Sequence, residues 1–103
     1  MGDYKMNVKN RQVIQLENIM IDNNLFDKYG LKKIGVFGSV ARDVEANDID
    51  ILVEDDVDFR NLSDFRDELS RFIKKPVDIV MAKYANPIVL YRAKKEIIYV
   101  TKH

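Results

Sequence analysis

Asp48 and Asp50 stand one residue apart in DIDILVE, residues 48–54. The strict alternation there predicts a strand, with Asp48, Asp50 and Leu52 on one face and Ile49, Ile51 and Val53 on the other. Two carboxylates that close repel, and each raises the other's pKa unless a cation lies between them. Hard oxygen donors in this arrangement suit Mg²⁺ or Mn²⁺. Upstream, Gly38-Ser39 closes an apolar run. Glycine permits close backbone approach, a following helix N-terminus offers N–H groups to an anion, and the serine hydroxyl adds a donor. Phosphate at Gly38-Ser39 and metal at Asp48 and Asp50 together describe a metal–nucleotide site. Asp78, flanked by apolar residues in PVDIVM, is a candidate third carboxylate. Three carboxylates around two metal ions about 3.5–4 Å apart would fit in-line phosphoryl displacement.

Each part has a plainer reading. Polar alternation on a half-exposed strand yields paired aspartates by chance, and Gly-Ser before a helix is most often a cap. Asp78 alone reads as a surface residue of an alternating strand. The conjunction of all three in one short chain favours the chemical reading.

The elements that must position these residues follow from periodicity. Val13, Leu16, Ile19, Met20, Leu25 and Phe26 recur at helical spacing and predict a helix from about residue 8 to 28, stopped at Tyr29-Gly30. LKKIGVFGS, with Ile34, Val36 and Phe37, predicts a buried strand ending at Gly38, and Ser39 is placed to cap a brief helix through Arg42. Leu62, Phe65, Leu69, Phe72 and Ile73 predict an amphipathic helix over 60–74, with Phe65, Leu69, Phe72 and Ile73 in the core. PVDIVM reads as a strand, Asn86-Pro87 opens a helix to about Lys95, and IIYV closes as a strand. Glu54, Asp55, Asp56 and Asp58 read as a solvated turn, and Tyr84, Tyr91 and Tyr99 as packed rings with satisfied hydroxyls. The resulting order, α-β-α-β-α-β-α-β, describes an α/β (α+β) sheet with helices packed on it, as a single domain over 1–103.

Composition narrows the function classes. The 103 residues hold 17 Lys plus Arg against 17 Asp plus Glu, so net charge is zero, which argues against a dedicated nucleic-acid binder. With no cysteine and one histidine, His103, zinc ribbons, thiol nucleophiles and histidine catalysis are excluded. No apolar run approaches the roughly 20 residues of a membrane span, and MGDYKMNVKNRQ lacks a signal-peptide core, so a soluble cytoplasmic domain is expected. The zero charge is unevenly distributed. Residues 43–58 hold eight acids and no base, leaving nine acids against 17 bases elsewhere. Lys83, Arg92, Lys94, Lys95 and Lys102 outweigh Glu96 near the C-terminus, a solvated face or a contact for a nucleic acid or an acidic partner.

Gly38-Ser39-Val40-Ala41-Arg42, followed by Asp48-Ile49-Asp50 with Asp78 downstream, resembles the GSxAR…DxD pattern of DNA polymerase β-like nucleotidyltransferases. Size and ending are similar to the minimal nucleotidyltransferase (MNT) family, many members of which are antitoxins paired with HEPN-domain toxins. The resemblance covers roughly residues 8–100. It implies a single-domain nucleotidyltransferase fold, a mixed β-sheet flanked by helices. It further implies that Asp48 and Asp50 ligate Mg²⁺ bridging a nucleoside triphosphate, that Asp78 completes the site as ligand and general base, and that Gly38 and Ser39 hold the β- and γ-phosphates. Arg42 has two readings, neutralising phosphate or pinning the acidic turn, and both stay open. The chain departs from the family's pattern at Asp43, where Gly is common, at Asn47, where Ser is common, and in a shorter Arg42–Asp48 stretch. These departures touch nucleotide choice and turnover and leave the carboxylates intact.

Transfer of AMP from ATP, or of another NMP, to an acceptor hydroxyl is therefore the expected activity, with pyrophosphate leaving. The elements already consume the chain, so the acceptor is expected on a partner protein or second subunit in a homo- or hetero-oligomer. By resemblance it would be a tyrosine of a HEPN toxin. The rival readings are a non-catalytic module that masks its partner and a subunit that senses ATP without transferring it.

Overall fold

The computed structural model describes residues 9–102. Helix α1 (Arg11–Asp22) starts where Asn10 Oδ1 accepts the Val13 N–H at 3.0 Å, satisfying one of the free amides of the first turn. It buries Val13, Leu16 and Met20, a stripe at helical spacing. The helix expected over 8–28 is in fact two, because Asn24 adopts φ +55° and turns the chain into α2 (Leu25–Tyr29). Asparagine is among the few side chains that tolerate the left-handed region, so periodicity ran on through a real break. Gly30, at φ +67°, ends α2 as expected. Residue 8 and His103 lie outside the described residues.

Strands β1 (Lys33–Phe37), β2 (Ile49–Val53), β3 (Val77–Met81) and β4 (Ile98–Thr101) form one sheet in the order β3-β2-β1-β4. β1 runs antiparallel to both β2 and β4, while β2 and β3 are parallel, so the sheet is mixed. A parallel pair needs a long crossover, supplied here by α3 (Phe59–Ile73). Asp58 caps α3 by accepting the Asn61 N–H at 3.0 Å, and Ser70 Oγ donates to the Lys75 carbonyl at its far end.

The two faces of the sheet are covered unequally. Ile34, Val36, Ile49, Ile51, Val53, Val77, Ile98 and Val100 face α1, α2 and α3 and share one core with Met20, Phe65 and Leu69. The Phe65 ring is fully buried and lies 5.5 Å from the Tyr29 ring at a tilt of 60°, a favourable aromatic geometry. On the other face Leu52, Ala93 of α4 (Pro87–Glu96) and Ile97 just after it are buried. Gly35 makes that second layer fit, since a Cβ there would lie 2.2 Å from Ile97 Cδ1.

Three expectations fail on burial. Phe72 is 42% exposed, so the apolar stripe of α3 narrows to Leu62, Phe65 and Leu69, with Ile73 partly buried. Tyr84 and Tyr91 are exposed, at 74% and 63%, while Tyr99 is half-buried and its hydroxyl donates to Glu54 Oε1 at 2.8 Å. The acidic turn after β2 is solvated only in part: Asp56 and Asp58 are exposed, whereas Glu54 and Asp55 are half-buried, Glu54 partnered by Tyr99 and Lys94 and Asp55 by the Lys32 N–H.

The core assignment has a direct check. Phe65→Ala should lower unfolding stability by roughly 3–5 kcal/mol, against less than about 1 kcal/mol for Phe72→Ala. Urea titration should show this as a large and a small fall in midpoint at similar slope.

Candidate active site

β1 and β2 are antiparallel neighbours, so the exit of β1 and the entry of β2 lie at the same end of the sheet. Gly38 follows β1 directly and Asp48 precedes β2 by one residue. Gly38 takes φ +76°, and a Cβ on it would lie 2.4 Å from Asp50 Oδ2. The glycine backbone therefore rests against the Asp50 carboxylate, an approach no other residue could make without displacing it.

The helix expected to open at Ser39 does not form. Residues 38–43 make tight turns instead, with the Arg42 N–H donating to the Gly38 carbonyl at 3.2 Å and the Val44 N–H to the Ser39 carbonyl at 2.9 Å. Asp43 sits at φ +61°, a conformation that cannot continue a right-handed helix. Val40, 1% exposed, anchors the turn in the core, and Asn10 Nδ2 donates to its carbonyl at 2.8 Å. The cap of α1 thus also fixes the turn.

Asp50 is half-buried and pairs across the sheet with Phe37 on one side and Asp78 on the other. Parallel in-register pairing puts Asp50 and Asp78 on the same face of adjacent strands, about 4.8 Å apart in backbone. Asp78 and Asp48 are both exposed. The Asp50 carboxyl is pushed above its ordinary range by burial first, then by the negative charges of Asp48, Asp78 and Glu96, with Arg42 opposing. The structure thus gathers Asp48, Asp50 and Asp78 into one electrostatic neighbourhood with Gly38 and Arg42. Among the described residues no three side chains converge into a preformed metal cage. The donor set is nonetheless made of hard carboxylate oxygens around a destabilised negative charge, and a divalent cation would offset both the burial and the repulsion. The residues fit Mg²⁺ or Mn²⁺.

Glu96 is the site residue that sequence reading missed. It ends α4, 58 residues from Gly38, yet its Oε2 accepts the Gly38 N–H at 2.7 Å and its Oε1 accepts Arg42 Nη1 at 2.8 Å. A glutamate among Lys94, Lys95 and Arg92 carries no local signal, and only the sheet topology delivers it. Arg42 therefore pins the turn to α4 in this arrangement.

The raised Asp50 pKa has a defined sign. The folded protein binds this proton more tightly than the unfolded chain, so ionisation of Asp50 costs stability as pH rises above the ordinary value of 3.8. Asp50→Asn should consequently melt above the wild type at pH 7, and the gap should close below the ordinary carboxylate range. A gap of equal size at both pH values in thermal melts would show that ionisation is not its cause.

Comparison with known proteins agrees with this geometry. Residues 15–103 match the family described as "Polymerase beta, Nucleotidyltransferase". Among curated relatives, a provisionally named protein adenylyltransferase of Methanocaldococcus jannaschii is 37% identical over 81 residues, 74% of this chain and 83% of the relative. Among solved structures, a complex of tri-AMPylated Shewanella oneidensis HEPN toxin with MNT antitoxin contains a similar chain at TM-score 0.63 and 21% identity, covering 87% of this chain and 72% of that one. A toxin–antitoxin structure with AMP-PNP is similar at TM-score 0.65 and 22% identity, covering 84% and 73%. The four-stranded mixed sheet with its helices is the minimal nucleotidyltransferase fold, and the chain belongs to the polymerase beta nucleotidyltransferase family.

Proposed function

We propose that this chain transfers AMP from ATP, with Mg²⁺, to a hydroxyl of a partner protein, a tyrosine of a HEPN-like toxin, and thereby acts as an antitoxin. The observation that carries this reading is the packing of Gly38 on Asp50 with Asp78 in register beside it, which sets the Gly38-Ser39 turn against paired carboxylates. The adenylyltransferase relative supports the group transferred, the complex with AMP-PNP supports the nucleotide, and the modified toxin of the Shewanella complex supports the acceptor.

Asp48, Asp50 and Asp78 would hold the metal, which when bound neutralises and orients the triphosphate. Gly38 and Ser39 hold the β- and γ-phosphates. The acceptor oxygen forms a bond to the α-phosphorus while the bond from that phosphorus to the bridging oxygen breaks, and pyrophosphate departs. Asp78 takes the hydroxyl proton; its exposure leaves it open to an incoming side chain.

One observation favours masking without transfer as a second reading. Phe59 and Tyr84, 72% and 74% exposed, flank the edge strand β3 around an apolar depression floored by Ile79 and Met81. Such a patch suits protein contact. A single experiment separates the two. Incubated with ATP, Mg²⁺ and a HEPN partner, the wild-type chain should add adenylyl mass to the partner, and Asp48→Ala or Asp50→Ala should slow this by about a hundredfold or more. A partner that is neutralised but keeps its unmodified mass, in wild type and Asp48→Ala alike, would establish masking instead.

A further inference from the structure

Gly38 and Arg42 are committed, in this structure, to an anion that the chain itself supplies. The two oxygens of the Glu96 carboxylate divide between a backbone N–H at 2.7 Å and a guanidinium nitrogen at 2.8 Å. An amide beside a tight glycine turn and an arginine nearby form the donor set that a phosphate oxygen pair takes. We propose that Glu96 competes with the nucleotide's phosphates for Gly38 and Arg42, so that triphosphate binding requires its displacement and Glu96 sets nucleotide affinity. This rests on the nucleotidyltransferase reading of Gly38 and Arg42 given above.

Three features of the surroundings suit displacement. Glu96 is the last residue of α4, where the helix's negative end disfavours an acidic side chain, so its own helix does little to hold it. Its side chain is 28% exposed and Arg42's is 54% exposed, so their ion pair is weakened by water. Its charge also adds to the repulsion on Asp50, a share that lessens when Glu96 swings away. The backbone at this point is fixed: Ile97, next in sequence, is buried against Gly35. Displacement therefore needs only a side-chain rotation, with the turn and α4 staying in place. Arg42 then serves both roles that its sequence position suggests, pinning the turn through Glu96 and neutralising phosphate after Glu96 has left.

Calorimetric titration of the full chain and its Glu96→Gln variant tests this, with ATP, inorganic tripolyphosphate and adenosine as ligands, each with and without Mg²⁺. Gln is isosteric but uncharged and keeps one acceptor oxygen, so it abolishes the ion pair with Arg42 and can no longer accept from Gly38 and Arg42 through two oxygens. ATP and tripolyphosphate should bind the variant about tenfold more tightly at low salt, with a smaller gain at high salt and no change for adenosine. In an Arg42→Gln background the gain should shrink. Wild-type binding that is equal to or tighter than that of Glu96→Gln overturns the competition and leaves the nucleotide reading intact. Failure of both proteins to bind either polyphosphate overturns the nucleotide reading and the competition together. A measurement on the wild type alone guards against a variant that folds poorly: at tripolyphosphate saturation, the Glu96 carboxylate ¹³C resonance should shift along with the Gly38 amide. A Glu96 resonance that stays fixed while the Gly38 amide moves overturns the proposal.

Discussion

A side chain at position 38 would bring its Cβ to 2.4 Å from Asp50 Oδ2 on a backbone already in the left-handed region. That one approach couples the two halves of the site. It places the end of β1 against the face of β2 that carries the carboxylate, and it shields Asp50 from water on one side. It also turns the chain toward Val40, which reaches the core while Asn10 and Gln12 hold the carbonyls of Val40 and Val44. Burial of Asp50, the direction of the Gly38 N–H and the reach of Arg42 to Glu96 are all consequences. With β2 and β3 parallel, Asp78 is delivered beside Asp50 by register alone.

Six of the eight acids of segment 43–58 separate into two populations once the fold is in place. Glu54 is pushed up by burial but pulled lower overall by hydrogen bonds from Lys94 and Tyr99, and Tyr99 in turn is pushed up to about 12 by burial and its bond to Glu54. Asp55 accepts the Lys32 N–H at 2.7 Å, Asp56 lies 3.4 Å from Lys83, and Asp58 caps α3. These acids are locally compensated, each by a modest amount where exposed. Among the described residues Asp48 and Asp50 have no such partner, and the cation opposing the charge around Asp50 is Arg42, itself shared with Glu96. Zero net charge thus conceals a site with an uncompensated negative excess beside compensated structural pairs, which is the condition under which a divalent cation binds.

Much of this was legible from local pattern. Alternation in residues 48–54 and 76–81 located β2 and β3 within a residue, because each strand has one face against a uniform apolar core. Asn86-Pro87 marked the start of α4, since cap and proline act through local backbone chemistry. Long-range geometry was not legible. Asn24 and Asp43 tolerate positive φ without announcing it, so one helix was read too long and another was read where turns exist. Phe72, Tyr84 and Tyr91 are core-like residue types, yet they stand on the outward sides of α3, of the turn after β3 and of α4. Glu96 joins the site only because α4 and β4 return the chain to β1, a fact of topology that no window of sequence contains.

Asp43, a departure from the pattern this chain resembles, adopts a backbone conformation that glycine favours. Where Gly is common after the arginine, this chain has Asp at φ +61°, the conformation for which glycine is usually chosen. Aspartate is among the few side chains that enter this region at modest cost, since its short polar group can bond locally. The shorter link to Asp48 is held from outside: the Val44 N–H reaches the Ser39 carbonyl, Gln12 Nε2 donates to the Val44 carbonyl at 3.0 Å, and Ala46 is buried at 4% exposure. Helix α1 therefore supplies the constraint that extra residues and a glycine would otherwise relax. What the substitution changes is charge, by adding an exposed carboxylate next to the arginine that faces Glu96. Asp43 thus adds a negative charge beside Arg42, while Gly38, Val40 and Ala46 help hold the path of the turn.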